Sequence, residues 1–143
     1  MDFFRAMEVS ASGLAAERTR LDVASGNLAN ASTTRTPEGG PYRRRDVVLE
    51  TRPLDEGAAA REGGPAFEVQ VAEVREDQAA PRLVHDPGHP DADPDGNVAY
   101  PNVNVIEEMV DMITASRAYE AGLSALNTAT SMAEAALQIG GGS

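Results

Sequence analysis

From Asn102 to Ile139, apolar and small residues recur at every third and fourth position: Met109, Met112, Ser116, Tyr119, Leu123, Leu126, Thr130, Ala133 and Leu137. This spacing runs unbroken through four heptads, with no proline inside it and Gly122 as the one internal glycine. It predicts a long helix with a single narrow apolar seam, the pattern of a coiled-coil partner helix. Asn104 is placed to cap the helix, and Glu107 three residues later suits a capping box. Glu107, Glu108 and Asp111 put negative charge in the first turns, where the helix dipole favours it. Gly140, Gly141 and Gly142 mark the expected stop. One narrow seam cannot cover itself, so it needs another helix.

The opposite end of the chain supplies one. Met7, Leu14, Leu21 and Leu28 fall seven residues apart, and Phe3, Phe4, Ala11 and Ala24 widen the stripe. Arg5, Glu8, Glu17, Arg18, Arg20 and Asp22 lie between them as solvated flanks. A helix from residue 2 to about 31 is expected, Gly13 inside it costing only ~1 kcal/mol. The economical arrangement packs the two terminal helices on each other, with the middle of the chain carried between them. Two such seams bury little if they meet only each other. Flanking Val103, Val105, Ile106, Val110 and Ile113 still need cover, which favours assembly over an isolated bundle.

The middle is of a different kind. Thr36 to Pro41 is a turn-rich linker. Tyr42 to Arg52 is expected as a strand, with Arg43, Arg44 and Arg45 solvated. Residues 53–66 have no period and are expected as a loose loop. Phe67 to Val74 alternates and is the best strand in the chain. Arg82 to His85 and Asn97 to Tyr100 are two shorter ones. Together they predict one small antiparallel sheet, too small to stand alone. The expected fold class is α+β: a helical core from residues 1–35 and 102–143, packed as an antiparallel coiled-coil-like pair, with a β-rich segment at 36–101.

Composition narrows the chemistry. The 143 residues carry a net charge of −11, which argues against a nucleic-acid partner. No cysteine is present, which removes disulfides, thiolate catalysis and cysteine metal sites. No stretch approaches the ~20 apolar residues of a membrane span, and no cleavable signal is expected at the N-terminus. With no tryptophan, three Phe and three Tyr, the core must be built thinly from Ala, Leu, Val and Met. No catalytic triad or phosphate loop stands out, so no enzyme and no cofactor are expected.

The densest cluster of polar chemistry is residues 85–96. Asp91, Asp93, Asp95 and Gly96 occupy the first, third, fifth and sixth places of an EF-hand-like calcium loop. The twelfth place is Asn102 rather than a bidentate Glu, and Pro90 and Pro94 disturb the loop. His85 and His89 are possible zinc partners, but no helix sets them on one face. An ordered turn held by Asp side chains is the expected reading, with a small acidic calcium- or zinc-binding module as the alternative.

At this point the residues resemble the bacterial flagellar rod and hook axial family, and within it the proximal-rod proteins of the FlgC type. The similarity covers nearly the whole chain. It lies in the N-terminal helix running into Asn27-Leu28-Ala29-Asn30, in Gly40 to Leu49, in Pro87 to Gly96 followed by Pro101 to Val105, in Glu107 to Val110, and in Ala115 to Ala121. The aspartate turn with its following segment is the most specific of these. Two positions depart from the pattern: Asn97 where an aromatic is usual, and Gly122 where Asn is usual.

The resemblance implies a non-catalytic, torque-transmitting rod subunit that encloses the export channel. Its partners would be its own copies, other rod proteins and the flagellar base near the export gate, without insertion into the membrane. It implies a place in the periplasmic rod of the basal body, reached by the flagellar type III pathway without a cleaved signal. The expected subunit-interface residues are Met7, Leu14, Leu21, Leu28, Met109, Met112, Tyr119, Leu123, Leu126 and Leu137, with Asn27 and Asn30 of the asparagine motif.

Overall fold

A computed structural model describes residues 3–54 and 66–140. Most of the expected loop at 53–66, and Gly141 and Gly142 of the expected helix stop, lie outside the described residues. The elements run α1 (Phe3–Ala29), β1 (Arg45–Pro53), β2 (Phe67–Glu76), β3 (Arg82–His85), β4 (Asn97–Tyr100) and α2 (Val105–Gly140). The architecture is α+β, as the sequence predicts. Each predicted helix and strand is present.

The strands form two two-stranded sheets, β1 with β2 and β3 with β4, rather than the single sheet expected. Each pair closes locally, which keeps the loop-closure cost low. In the first pair, Asp77 N–H donates to the Arg44 carbonyl and Leu54 N–H to the Ala66 carbonyl, as in an antiparallel hairpin. In the second, Arg82 faces Tyr100 and His85 faces Asn97. Strand β1 starts at Arg45 instead of Tyr42, because Tyr42 is used otherwise: its N–H donates to the Thr33 carbonyl.

The chain divides into two compact units, and both helices pass through both. The first unit comprises Met1–Thr19, Leu49–Ala72 and Thr114–Ser143. Its buried apolar residues are Ala16, Ala66 and Ala115. Ser12 ties its helix to its sheet: the hydroxyl donates to the Val9 carbonyl and accepts from Val69 N–H at 3.0 Å. Here α1 lies close against α2, with Leu14 over Gly122. A Cβ added at Gly122 would sit 2.9 Å from Leu14 Cδ2. Gly122 therefore lets a leucine of α1 settle on the backbone of α2.

The second unit comprises Arg20–Val48 and Glu73–Ile113. Ala24, Val98 and Pro101 are buried in it, together with two polar residues, Asn27 and Glu108. Asn104 caps α2 as expected, its Oδ1 accepting from Ile106 N–H at 3.1 Å. In the second unit Asn27, late in α1, meets Glu108, early in α2, and in the first unit the middle of α1 meets the middle of α2 at Leu14 and Gly122. The helices are antiparallel.

The Gly122 contact generates a prediction. Gly122→Ala gains helix propensity of ~1 kcal/mol and displaces only the flexible end of Leu14, so its net effect is near zero. Gly122→Leu overfills the contact and costs about 1–3 kcal/mol. Urea unfolding of the two variants checks this; equal stabilities would mean that the helices do not approach closely at this point.

Candidate functional site

The residues with the most demanding chemistry meet in the second unit, around the Asn27 amide. Asn27 lies in the last turns of α1 and is 1% exposed. Its Nδ2 donates to the Arg45 carbonyl at 2.9 Å and to Glu108 Oε2 at 3.0 Å. Its Oδ1 accepts from Arg45 N–H at 2.9 Å and from the Tyr42 hydroxyl at 2.9 Å. Both donors and both lone pairs are used, which is the full capacity of an amide. Toward Arg45 the side chain pairs as a neighbouring strand would, donating and accepting at one residue. One amide thus joins the end of α1, the loop before β1, the first residue of β1 and the first turn of α2.

Glu108 completes the hub. Its side chain is 2% exposed, and Arg44 Nε donates to its Oε1 at 2.5 Å, while Arg44 Nη1 bonds Asp46 Oδ1 at 2.5 Å. Burial works against the Arg44 charge, but its bonds to Glu108 and Asp46 prevail, and the guanidinium pKa is raised. Burial, opposed by the nearby Arg45 charge, pushes the Tyr42 phenol above its ordinary pKa of 10.0. Tyr42 therefore remains a donor at neutral pH. Arg45 lies over its ring, 5.9 Å from the centroid.

Sequence reasoning placed Arg44 in solvent with Arg43 and Arg45, and took Glu108 only as charge suited to a helix start. The structure turns both inward. Two signals mark them in retrospect. The middle residue of three successive arginines entering a strand points to the opposite face from its neighbours. Glu108 lies seven residues before Ala115 and fourteen before Gly122, in a column that faces α1 and requires a partner for any charge it contains.

Asn30 closes the helix beside the hub. Its Nδ2 donates to the Gly26 carbonyl at 2.9 Å, and its Oδ1 accepts from the Thr33 hydroxyl at 3.1 Å. The Gly26 carbonyl thereby accepts from both the backbone and the side-chain N–H of Asn30. Further along, the Thr34 hydroxyl donates to Asp91 Oδ2 at 2.7 Å, and Arg35 pairs with Asp91 Oδ1.

The 85–96 segment uses its carboxylates within the protein. Asp93 Oδ1 accepts from Asp95 N–H at 2.9 Å and from Asn97 N–H at 2.8 Å. Asp91 instead reaches back to Thr34 and Arg35, linking the turn to the segment after α1. Gly96 closes the turn at φ 80°, and a Cβ there would lie 3.0 Å from both His85 Cε1 and Pro87 Cγ. Among the described residues, no group of three His, Cys, Asp or Glu is placed to hold a metal ion.

The apolar seam residues divide between two faces. Met7, Leu14, Leu21 and Leu28 are partly buried, as are Met112, Tyr119 and Leu126. Met109, Leu123 and Leu137 are exposed, at 50%, 44% and 76%. The more covered residues of α2 are Glu108, Asp111, Met112, Ala115, Ser116, Tyr119, Gly122, Leu126, Ala129 and Ala133, with Glu108 and Ala115 the most deeply buried. The inward face is thus turned from the expected seam toward the column of small residues one position before it, which holds the most deeply buried positions. In the second unit, Ile106, Met109, Val110 and Ile113 form an outward apolar stripe. No helix among the described residues is long and apolar enough to cross a membrane.

Similarity to known proteins accords with this architecture. Residues 7–35 match the family described as "Flagella basal body rod protein". Residues 95–139 match "Flagellar basal body rod FlgEFG protein C-terminal". These two segments contain most of both helices, including Asn27, Asn30 and Glu108. Along nearly the whole chain, the sequence is similar to proteins named flagellar basal-body rod protein FlgC. The one from Borreliella burgdorferi is 44% identical over 97% of this chain and 98% of that protein. Those from Salmonella typhimurium and Bacillus subtilis are 42% and 40% identical, each over 98% of this chain and 99% of the relative. The chain belongs to the flagellar basal-body rod protein family, in its FlgC group.

Two predictions follow from the site. Asn27→Asp removes both donors and sets a second carboxylate against Glu108 in a site closed to water. One of the two acids then binds a proton, so its folded pKa lies above its unfolded value near ~4. Below that unfolded value the added penalty is absent; it grows as pH rises through the raised pKa. The variant is therefore destabilised by about 3–5 kcal/mol at pH 7 and by less at pH 4. Denaturant midpoints at the two pH values, against wild type, measure the difference.

The second concerns Asp91. The Thr34 hydroxyl first, then Arg35, holds its carboxyl below the ordinary value of 3.8. A depressed folded pKa gives stability that is present above the unfolded value and lost as pH falls through the folded one. Thr34→Val should shift the Asp91 titration upward toward 3.8 in an NMR pH series. An unchanged midpoint would show that the hydroxyl bond does not form in solution.

Proposed function

We propose that the chain is a structural, non-catalytic subunit of the flagellar basal-body rod, assembling with its own copies and with other rod proteins to form the drive shaft and its export channel. The observation that carries this is 44% identity over nearly the full length of a flagellar basal-body rod protein. The exposure of large apolar side chains on α2 supports it. Met109, Leu123 and Leu137 are the interface residues on that helix. Met112, Tyr119 and Leu126, and Met7, Leu14, Leu21 and Leu28 on α1, support the same surface from their partly covered positions. Asn27 and Asn30 serve it by fixing the helix end beneath it.

In this reading, segments 1–35 and 102–143 form the helical core of each subunit in the rod wall, and 36–101 the β-rich part outside it. The chain travels by the flagellar type III pathway to the periplasm and contacts the base near the export gate. Small-residue packing and the lack of cysteine suit a chain that passes unfolded and refolds on arrival. The carboxylates of residues 85–96 serve as structural ties.

Leu123→Asp tests the assignment. Leu123 is 44% exposed, so the change costs the free fold only about 1 kcal/mol. Between subunits it would bury an unpaired charge, which costs several-fold more. The expected result is a chain made at normal level but not incorporated, with non-motile cells lacking complete rods. Ala80→Asp, on the exposed loop after β2, serves as the matched control and leaves motility intact. Normal rods with Leu123→Asp would remove the outward column from the assembly surface.

A further inference from the structure

Helix α2 contains two candidate inward faces. They share Met112, Tyr119 and Leu126. One is completed by Met109, Ser116 and Leu123, the larger and more apolar set. The other is completed by Glu108, Ala115 and Gly122. Burial alone favours the first, since it would take Met109 and Leu123 out of water. The structure adopts the second: Ala115 is 0% exposed while Met109 is 50% exposed. A roll of the helix by roughly 50°, half the angle between successive residues, separates the two.

We infer that the buried pairing of Glu108 with Arg44 and Asn27 is a rotational lock that holds α2 on its small-residue face and keeps its larger apolar residues outward. Three observations carry this. Among the described residues of α2, Glu108 is the fully buried charged side chain, and both its carboxylate oxygens are bonded, to Arg44 and to Asn27. Rolling the helix toward Met109 would pull the carboxylate from both partners, leaving Arg44 and the Asn27 amide incompletely paired in a buried site. In the first unit, independently, Leu14 packs so closely on Gly122 that a Cβ there would lie 2.9 Å from Leu14 Cδ2. A single buried polar group is a recognised means of fixing register at some expense of stability. Here it resists the arrangement in which the chain would satisfy its own apolar surface.

The purpose of the lock rests on the rod-subunit reading above. Its existence is tested on the free full-length chain, without rods, so either can fail alone. Because the chain has no cysteine, single thiols report cleanly. Met109→Cys and Ala115→Cys are each made in three backgrounds: wild type, Glu108→Gln, and Glu108→Leu with Arg44→Met. Thiol labelling rates are then compared at matched helix content by circular dichroism. In wild type, position 109 should label at least about tenfold faster than 115, as burial at 115 requires local opening. Glu108→Gln keeps an acceptor for Asn27 and should retain that ratio. The double variant removes both charges, and there the ratio should fall to one or invert, with the chain still folded. An unchanged ratio in the double variant would overturn the inference, as would labelling of both positions at the rate of unfolded chain. A ratio lost equally in Glu108→Gln would overturn it too, because general loosening would then explain the result.

Discussion

The Asn27 amide is the point on which the second unit depends. Its four hydrogen bonds reach a strand backbone, a loop tyrosine and the acid at the start of the opposite helix. The end of α1, residues 42–45 and the start of α2 are positioned together by one side chain of fixed geometry. A hydrophobic contact would not do this, because apolar packing has no direction and tolerates small slips. An amide with every donor and acceptor used tolerates none, since each displaced bond leaves a buried polar group unpaired. In a chain whose buried apolar residues are chiefly alanines, directional bonds take over a task that large side chains perform in thicker cores.

The sequence made the elements legible and left the rotations hidden. Both helices followed from seven-residue spacing, and the strands from alternation and turn residues, because these patterns are local. The choice of α2 face was not local. Heptad reading prefers the largest apolar residues, so it selected Met109 and Leu123 over Glu108, Ala115 and Gly122. What decides the face, on the inference above, is a partner for Glu108 supplied by Arg44 just before β1, and no periodicity in α2 encodes it. Arg44 was obscured for the same reason, its inward turn being meaningful only once Glu108 is seen opposite. The asparagines were visible as a motif, but their service to the backbone appears only in three dimensions. The number of sheets was likewise undetermined, since four short strands pair in more than one way.

The aspartate turn shows how the same residues suit two chemistries until geometry chooses. Alternate aspartates followed by glycine match the opening of a calcium loop. In the structure they diverge: Asp93 folds back onto its own backbone, whereas Asp91 leaves the turn to meet Thr34 and Arg35. The glycine is required by the turn itself, through its φ of 80°. His85 and Pro87 crowd the position where a side chain would stand. The turn thereby fastens the β3–β4 hairpin to the segment that leaves α1, next to the hub.

These features bear on why a subunit of this kind keeps its larger side chains on the outside. A monomer selected only for its own stability would roll α2 to bury Met109 and Leu123, and would carry an apolar residue in place of Glu108. A subunit selected for assembly gains from the opposite arrangement. Its own helices meet through small residues and one polar hub, contacts that are specific but individually modest. On the rod-subunit reading proposed above, the larger apolar groups are left for surfaces between chains. On that reading, stability would rise as neighbours are added, because the same residues would contribute their dispersion and desolvation terms on docking. The polar hub makes this division hold, since without a directional constraint the hydrophobic effect would favour internal satisfaction of the seam.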